Sequence, residues 1–180
     1  MRYSIIFDGP NFISNAIDAI GDMDDFSDRF SLVGFCNKLV QGRLHHIFHT
    51  EAKSLGVEFF YSEKSLGRGE QKLTNEQSDK LLERFSNEQA VYLNKVSIAS
   101  NNEKGVNIAI AVRMIEMSNM CDTVCLVSSD KGYIPVFEYI KRKGKYAVTI
   151  GIDKKHPIEL KNISYLFVDM TNYLTYFIKK

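Results

Sequence analysis

The chain has 180 residues, 44% of them hydrophobic and 25% charged, and 23 Lys and Arg against 22 Asp and Glu leave a net charge of +1. That length suits one domain with a full core, and near-neutrality leaves only local patches, not the whole molecule, to attract a polyanion. No apolar run approaches the ~20 residues that span a bilayer, and Asp8 interrupts the first apolar segment too early for a signal peptide; a cytoplasmic protein without membrane contact is expected.

Residues 3–7 (Tyr-Ser-Ile-Ile-Phe) form a short apolar run cut off by Asp8-Gly9-Pro10, which predicts a buried first strand. Asn11 then sits near the start of a helix reaching about residue 19. The acids Asp22, Asp24, Asp25 and Asp28 read as a solvated loop or helix start. Residues 30–55 keep roughly three-to-four spacing of Phe30, Val33, Leu39, Val40, Leu44, Ile47 and Phe48, which predicts one long helix closed by Gly56. Within it His45 and His49 have the spacing of a metal pair, but no third ligand accompanies them and a solvated helix face is the better reading. Residues 57–61 predict a second strand.

The segment 62–102 reads as a variable insert: a polar loop over 67–72, helical character over 75–90 and an added strand over 91–98. An amphipathic helix is expected over 105–120, with Val106, Ile108, Ile110, Ala111, Met114, Ile115 and Met117 on its apolar face. Residues 123–127 are the clearest strand, continuous and apolar as central parallel strands are. A helix over 134–142 has Pro135 in its first turn and Gly144 beyond its end. Residues 146–150 give a further strand, and 166–170 a last short strand or helix lead-in. For the apolar tail 173–178, packing on the sheet and a homodimer contact are equally good explanations. Cys36, Cys121 and Cys125 form no zinc pattern and read as small buried side chains.

Strands alternating with helices predict an α/β fold in three layers, a mostly parallel sheet with helices on both faces, in one domain over 1–180. Such sheets bind ligands at the carboxyl edge. Asp8 leaves the first strand there, Ser128, Ser129 and Asp130 leave the strand over 123–127, and Lys104 and Asn107 stand at a helix start. If the two strands are neighbours, two carboxylates share a crevice, and they repel unless a cation separates them. Mg²⁺, or Mn²⁺, is the natural occupant, taking one or two carboxylates plus water and substrate phosphate. Asp8, Asp130 and Asn107 are then candidate metal ligands, Asn11 a polar support, and Ser128, Ser129, Lys104 and Lys131 candidate phosphate contacts. Arg68 reads as a solvated surface residue.

These residues resemble a family. Phe7-Asp8-Gly9-Pro10-Asn11 resembles the Asp-Gly-x-Asn opening of the NYN domains, within the PIN-like metal-dependent nucleases. Lys104-Gly105-Val106-Asn107 resembles their Lys-Gly-Val-Asp helix start. The stretch Leu126-Val127-Ser128-Ser129-Asp130-Lys131-Gly132-Tyr133-Ile134-Pro135 resembles the turn written Ser-Gly-Asp-x-Asp-Phe-x-Pro, and Gly144, Lys145, Val148 and Gly151 fit the strand that follows. The likeness is greatest to the bacterial LabA-like branch. It implies a PIN-like sheet and Mg²⁺- or Mn²⁺-dependent hydrolysis of RNA, with Asp8 and Asp130 as metal ligands, Asn107 beside them, and Asn11, Asp8, Asp130 and Asn107 as the catalytic set.

Two departures reduce the acidity of the site: Asn107 and Gly132 stand where the family has Asp. Arg113 also occupies a position often acidic in relatives. One metal site survives these changes better than a two-metal clamp, unless Glu103 or Glu116 joins. The alternative is a module that binds RNA or protein and does little chemistry, with Lys131 beside Asp130 partly replacing the cation. The absence of a P-loop or a G-x-G-x-x-G run argues against ATP or dinucleotide binding.

Overall fold

A computed structural model describes residues 1–62, 66–97 and 104–177. Strand β1 (Arg2–Asp8) leads into α1 (Gly9–Ile20), α2 (Asp24–Arg29), α3 (Leu32–Phe35) and, through a π-helical turn over Cys36–Gln41, α4 (Gly42–Phe48). Next come β2 (Lys53–Ser62), a small hairpin of β3 (Gly67–Arg68) and β4 (Gln71–Lys72), α5 (Asn75–Ser86) and β5 (Val91–Val96). The chain closes with α6 (Lys104–Met120), β6 (Thr123–Val127), α7 (Ile134–Arg142), β7 (Tyr146–Gly151), α8 (Ile158–Ile163), β8 (Leu166–Asp169) and α9 (Thr171–Leu174).

Six strands form one sheet in the order β5-β2-β1-β6-β7-β8, and every neighbouring pair is parallel. The winding runs outward from β1 to β2 and β5 on one side, then from β6 to β7 and β8 on the other. The reversal falls between β1 and β6, the topological switch point at which open α/β sheets bind ligands. Their register pairs Phe7 with Val127, so Asp8 and Ser128 leave the sheet side by side.

Period-two alternation explains why these strands read as continuous apolar runs. Ile5 and Phe7 of β1, with Cys125 and Val127 of β6, join the core layer that also holds Phe12, Phe26, Phe30, Phe35, Phe59 and Phe85. Ile6, Val124 and Leu126 face the opposite layer, with Val106, Ile110 and Met114 of α6 and Phe137 and Ile140 of α7. Both faces are covered, so every residue from Tyr3 to Asp8 and every residue of β6 is buried. The expected three-layer α/β fold is the one observed.

The helix expected over 30–55 is observed over residues 32–48, shorter at both ends, with α3, the π-helical turn and α4 following one another without a non-helical residue between them. Phe30 is extended, Ser31 caps α3 by accepting from the Gly34 N–H at 2.9 Å, and the carboxylate of Glu88 accepts from Leu32 and Val33 N–H at 3.1 and 2.7 Å. These acceptors satisfy helix-start donors that would otherwise lack partners. The helix ends at Phe48 because His49 turns left-handed, with φ 49°. Then β2 begins at Lys53, earlier than expected, with a register irregularity against β1 between Tyr3 and Ile5.

The segment read as an insert contributes β5 to the main sheet; the strand ends at Val96, short of Ser97, and Ile98 lies outside the described residues. Helix α8 was not anticipated. The apolar side chains of α6 are not confined to one face, since Ile110 and Met114 are buried while Ile108 is 64% and Val112 51% exposed. In the tail Leu174 and Phe177 pack into the aromatic layer, with Phe177 5.3 Å from the Phe26 ring, and Ile178 lies outside the described residues. All three cysteines are buried and free. Among the described residues no helix is long and apolar enough to cross a membrane.

Candidate functional site

Asp8 ends β1 with its side chain wholly buried. Its Oδ1 accepts from the Asn11 N–H at 3.3 Å, so it caps α1, while Oδ2 accepts from the Ser128 hydroxyl at 2.9 Å, the Tyr133 hydroxyl at 3.2 Å and the Arg68 guanidinium at 3.4 Å. Burial pushes the Asp8 carboxyl above the usual carboxylate range; Arg68 and these donors pull it back, and nearby Asp130 opposes them. Tyr133 is held protonated far above its ordinary range by burial and then by the two carboxylates, which fits its role as a donor to Asp8.

Asp130 lies just past β6, partly exposed. Its Oδ1 caps the following turn through the Gly132 N–H at 2.8 Å, and its Oδ2 accepts from the Asn107 amide at 2.8 Å. Asn107, in the first turn of α6, turns its amide oxygen to Arg68 at 3.4 Å. The second guanidinium nitrogen of Arg68 stands 3.6 Å from Asp130. One cation thus touches Asp8, Asp130 and Asn107, three residues whose grouping the sequence anticipates.

The cation itself is the surprise. Arg68, expected to be a solvated surface residue, enters the crevice on the β3–β4 hairpin, and only 26% of its side chain is exposed. The hairpin is pinned to α1: the Arg68 N–H donates to Ser14 Oγ at 2.6 Å, and Ser14 Oγ donates to the Gln71 carbonyl at 3.4 Å. Gly69 opens its two-residue turn with φ 59°, as the first position of a type II′ turn demands. Gly67 cannot carry a side chain either, because a Cβ there would strike the Gln71 carbonyl oxygen.

Asn11 supports the site differently from expectation. Its backbone, not its amide, meets Asp8, while its Oδ1 accepts from the Ser129 N–H at 2.9 Å, the Ser129 hydroxyl at 3.1 Å and the Asn15 amide at 3.0 Å. It therefore ties the two strand exits together. Ser128 is buried and committed to Asp8, whereas Ser129 is partly exposed at the rim. Lys131 does not supply charge beside Asp130: its Nζ pairs with Glu159 at 2.7 Å on the surface. The side chain of Lys104 lies outside the described residues.

Glu116 does not join the site. It pairs with Arg113 at 3.0 Å, and Arg113 also grips buried Glu58 at 2.8 and 2.9 Å. Glu103 lies outside the described residues. The sequence reading missed Tyr133, Asn15 and Arg68. Tyr133 stands at the Phe of the turn motif, and its hydroxyl is what reaches Asp8.

Among the described residues no cluster of three or more His, Cys, Asp and Glu could hold a metal. The oxygens of Asp8, Asp130 and Asn107 do all face the Arg68 guanidinium, Asp8 and Asn107 at one of its nitrogens and Asp130 at the other, so the guanidinium stands where a cation would. That donor set fits one hard divalent ion in exchange for Arg68, with the remaining positions left to water and phosphate. Among the described residues no further acid is at hand for a second ion.

Behind β6 and β7, buried His156 meets Thr149 Oγ1 at 3.0 Å, and its Nδ1 has no hydrogen-bond partner among the described residues. Burial and then Lys161 hold it neutral, with its pKa lowered to about 4. A depressed histidine contributes stability that is present above its unfolded value of about 6.5 and lost as pH falls through about 4. We expect about 2 kcal/mol to be lost over that interval, and a shallower pH slope in His156→Gln. Urea unfolding at about pH 7 and about pH 4 measures both; equal slopes for the two proteins would refute the assignment.

Among solved structures, a protein of unknown function from Vibrio parahaemolyticus superposes with a TM-score of 0.60 at 15% identity, over 94% of this chain and 92% of that one. That likeness concerns the fold. A pyrazinamidase/nicotinamidase from Streptococcus mutans covers 97% of this chain and 98% of its own at 12% identity, but its TM-score of 0.37 carries no argument. No curated protein matches at a significant level. The NYN domain family model matches residues 8–175, from the first site aspartate almost to the end of the chain. That match, over most of the chain, establishes that the chain belongs to the NYN domain family.

Proposed function

We propose that this NYN domain hydrolyses RNA phosphodiester bonds in the cytoplasm with one divalent ion, Mg²⁺ or Mn²⁺, held by Asp8, Asp130 and Asn107. The observation that supports this reading is the cation already seated among those three side chains. When bound, the ion would polarise a phosphoryl oxygen and lower the pKa of water.

The chain's own residues do the rest. Asn11 and Ser129 fix the distance between the two strand exits. Ser128 and Tyr133 donate to Asp8 and hold its Oδ2 toward the crevice; Asp130 presents its own from the turn. Arg68, displaced from the carboxylates, stays on its hairpin at the mouth of the site, where a guanidinium suits a bridging pair of phosphate oxygens.

Arg68 and the ion compete for the same oxygens, which gives the reading its test. Arg68→Gln is expected to lower the Mn²⁺ concentration giving half-maximal cleavage of labelled single-stranded RNA by roughly 10-fold, a typical coupling for one close charge. Without metal the variant should melt lower than wild type, because Asp8 loses its compensating charge, and added Mn²⁺ should raise its melting temperature more than wild type's. RNA retained without cleavage at any metal concentration, and no metal-induced shift in either protein, would overturn the hydrolase reading. It would leave a phosphate-binding module with Arg68 as its permanent cation.

A further inference from the structure

At the opposite, amino edge of the sheet, α7 ends in Lys141 and Arg142, its cap is Lys143, and Gly144, with φ 69°, turns the chain to Lys145 and the start of β7 at Tyr146. Four of these five residues before Tyr146 are cationic. Lys141, Arg142 and Lys143 are exposed and make no ion pair among the described residues, while Lys145 stands 3.8 Å from Asp122. The helix C-terminus favours such cations by its dipole, yet the dipole explains nothing about the rings beside them.

Tyr146 and Tyr165 lie 4.5 Å apart between ring centres and both rest on Phe48, with Tyr165 stacked on it at 5.3 Å and 18°. Tyr165 is 53% and Tyr146 36% exposed, so each turns ring surface to solvent. A groove of about 390 Å³ runs between them and the cations, lined by Lys141, Lys145, Tyr146, Ile163, Ser164 and Tyr165. Five intervening steps of β7 separate this groove from the carboxyl edge, about 17 Å.

We propose that this groove is a docking site for single-stranded RNA, separate from the acid crevice. An unpaired base stacks on the exposed face of Tyr165 or Tyr146, and Lys141, Arg142, Lys143 and Lys145 contact flanking phosphates. Exposed aromatic rings beside a run of surface cations are the combination by which proteins hold single strands without reading sequence. An acidic peptide would use the cations but not the ring faces. A membrane would call for deeper apolar side chains than two tyrosines. The choice of RNA rests on the function proposed above; the binding does not require that the acid site turn over.

The test is fluorescence anisotropy of a labelled oligouridine of about ten nucleotides against the whole chain over a salt series. Wild type should bind, with affinity falling as salt rises. Lys141→Gln/Arg142→Gln should weaken binding about 10-fold and make the salt dependence shallower by about 0.7 per lost phosphate contact. Tyr165→Ala should weaken it about 10-fold with the salt slope unchanged. The chain has nine Tyr and no Trp, so stacking is also read as quenching of tyrosine emission, which Tyr165→Ala should diminish.

Far-ultraviolet circular dichroism confirms that each variant is folded, and Tyr165→Phe, which keeps the ring, should restore affinity. Loss of binding in the groove variants of a protein that does not cleave would support the docking site and refute the hydrolase. Wild-type affinity in both groove variants, no RNA binding at all, or equal binding of duplex RNA and of acidic peptide with Tyr165→Ala unaffected, would each overturn the docking site.

Discussion

Replacing Asp130 by Asn is expected to reduce metal-dependent RNA cleavage by about 10³-fold or more, the scale on which a ligand to a catalytic ion contributes to rate. Asp130 is the informative position because its change is nearly isosteric. The Oδ1 cap on the Gly132 N–H, at 2.8 Å, can be kept by an amide oxygen, so the turn after β6 should hold and stability should fall by no more than about 1 kcal/mol. What is lost is one of the two carboxylate charges that face Arg68 among the described residues. The remaining carboxylate, Asp8, has its Oδ2 already shared among Ser128, Tyr133 and Arg68, so with neutral Asn107 it offers a divalent ion a single negative charge. RNA affinity measured without metal should change less than about threefold, since phosphate contacts are made by cations. Quantified cleavage across a Mn²⁺ series, beside anisotropy on the same RNA, separates the two effects. Full activity in the variant would remove Asp130 from the chemistry.

How much of this site could be read from the residues depends on the kind of signal each one carries. Asp8 and Asp130 were legible because each follows an apolar run that ends abruptly, and two such exits meet only where the winding of the sheet reverses. Asn107 was legible as the polar residue in the first turn of α6. Arg68 was not, because its position depends on a hairpin four residues long by its strands, held to α1 by Ser14. A signal for it existed: Gly67 and Gly69 punctuate a segment whose flanks, Leu66 and Leu73, are buried at 2% and 7% exposure. Apolar anchors on either side of a glycine turn predict a hairpin rather than a free loop.

The start at Leu32 of the helix over 32–48, two residues later than its apolar spacing suggests, was illegible for a different reason. Its second cap, Glu88, comes from 55 to 56 residues away along the chain, beyond the reach of any local pattern. The spacing of apolar residues from Phe30 onward is already helical before the cap at Ser31, so periodicity alone does not show where the helix starts. The same limit applies to Tyr133. Its ring fills the core beneath the turn as a Phe would, and only the sheet's register shows that its hydroxyl ends 3.2 Å from Asp8.

Gly9→Ala is expected to destabilise the protein by about 3 kcal/mol, a drop of roughly 10 °C in melting temperature for a domain of this size. The reason lies in how closely α1 starts against the end of β2. A Cβ on Gly9 would strike the Phe60 carbonyl oxygen and come within 2.7 Å of the Phe59 ring. Phe59 is fully buried and braced by Phe7 at 6.0 Å and Phe85 at 5.1 Å, so the ring has nowhere to yield, and the carbonyl belongs to the sheet backbone. The strain can be relieved only by lifting the start of α1, which carries the Asn11 N–H away from Asp8 and loosens the link from Asn11 to Ser129. The variant should therefore lose metal-dependent cleavage as well as stability. Gly42→Ala is the matching control: it lies in a helix with nothing within 4 Å of the added methyl, and should gain about 0.5–1 kcal/mol. Denaturant unfolding of both variants measures the contrast. Wild-type stability in Gly9→Ala would mean that the glycine of the Asp-Gly-Pro-Asn opening serves no packing purpose, and that the close seating of α1 on β2 is not what holds Asp8 at the crevice.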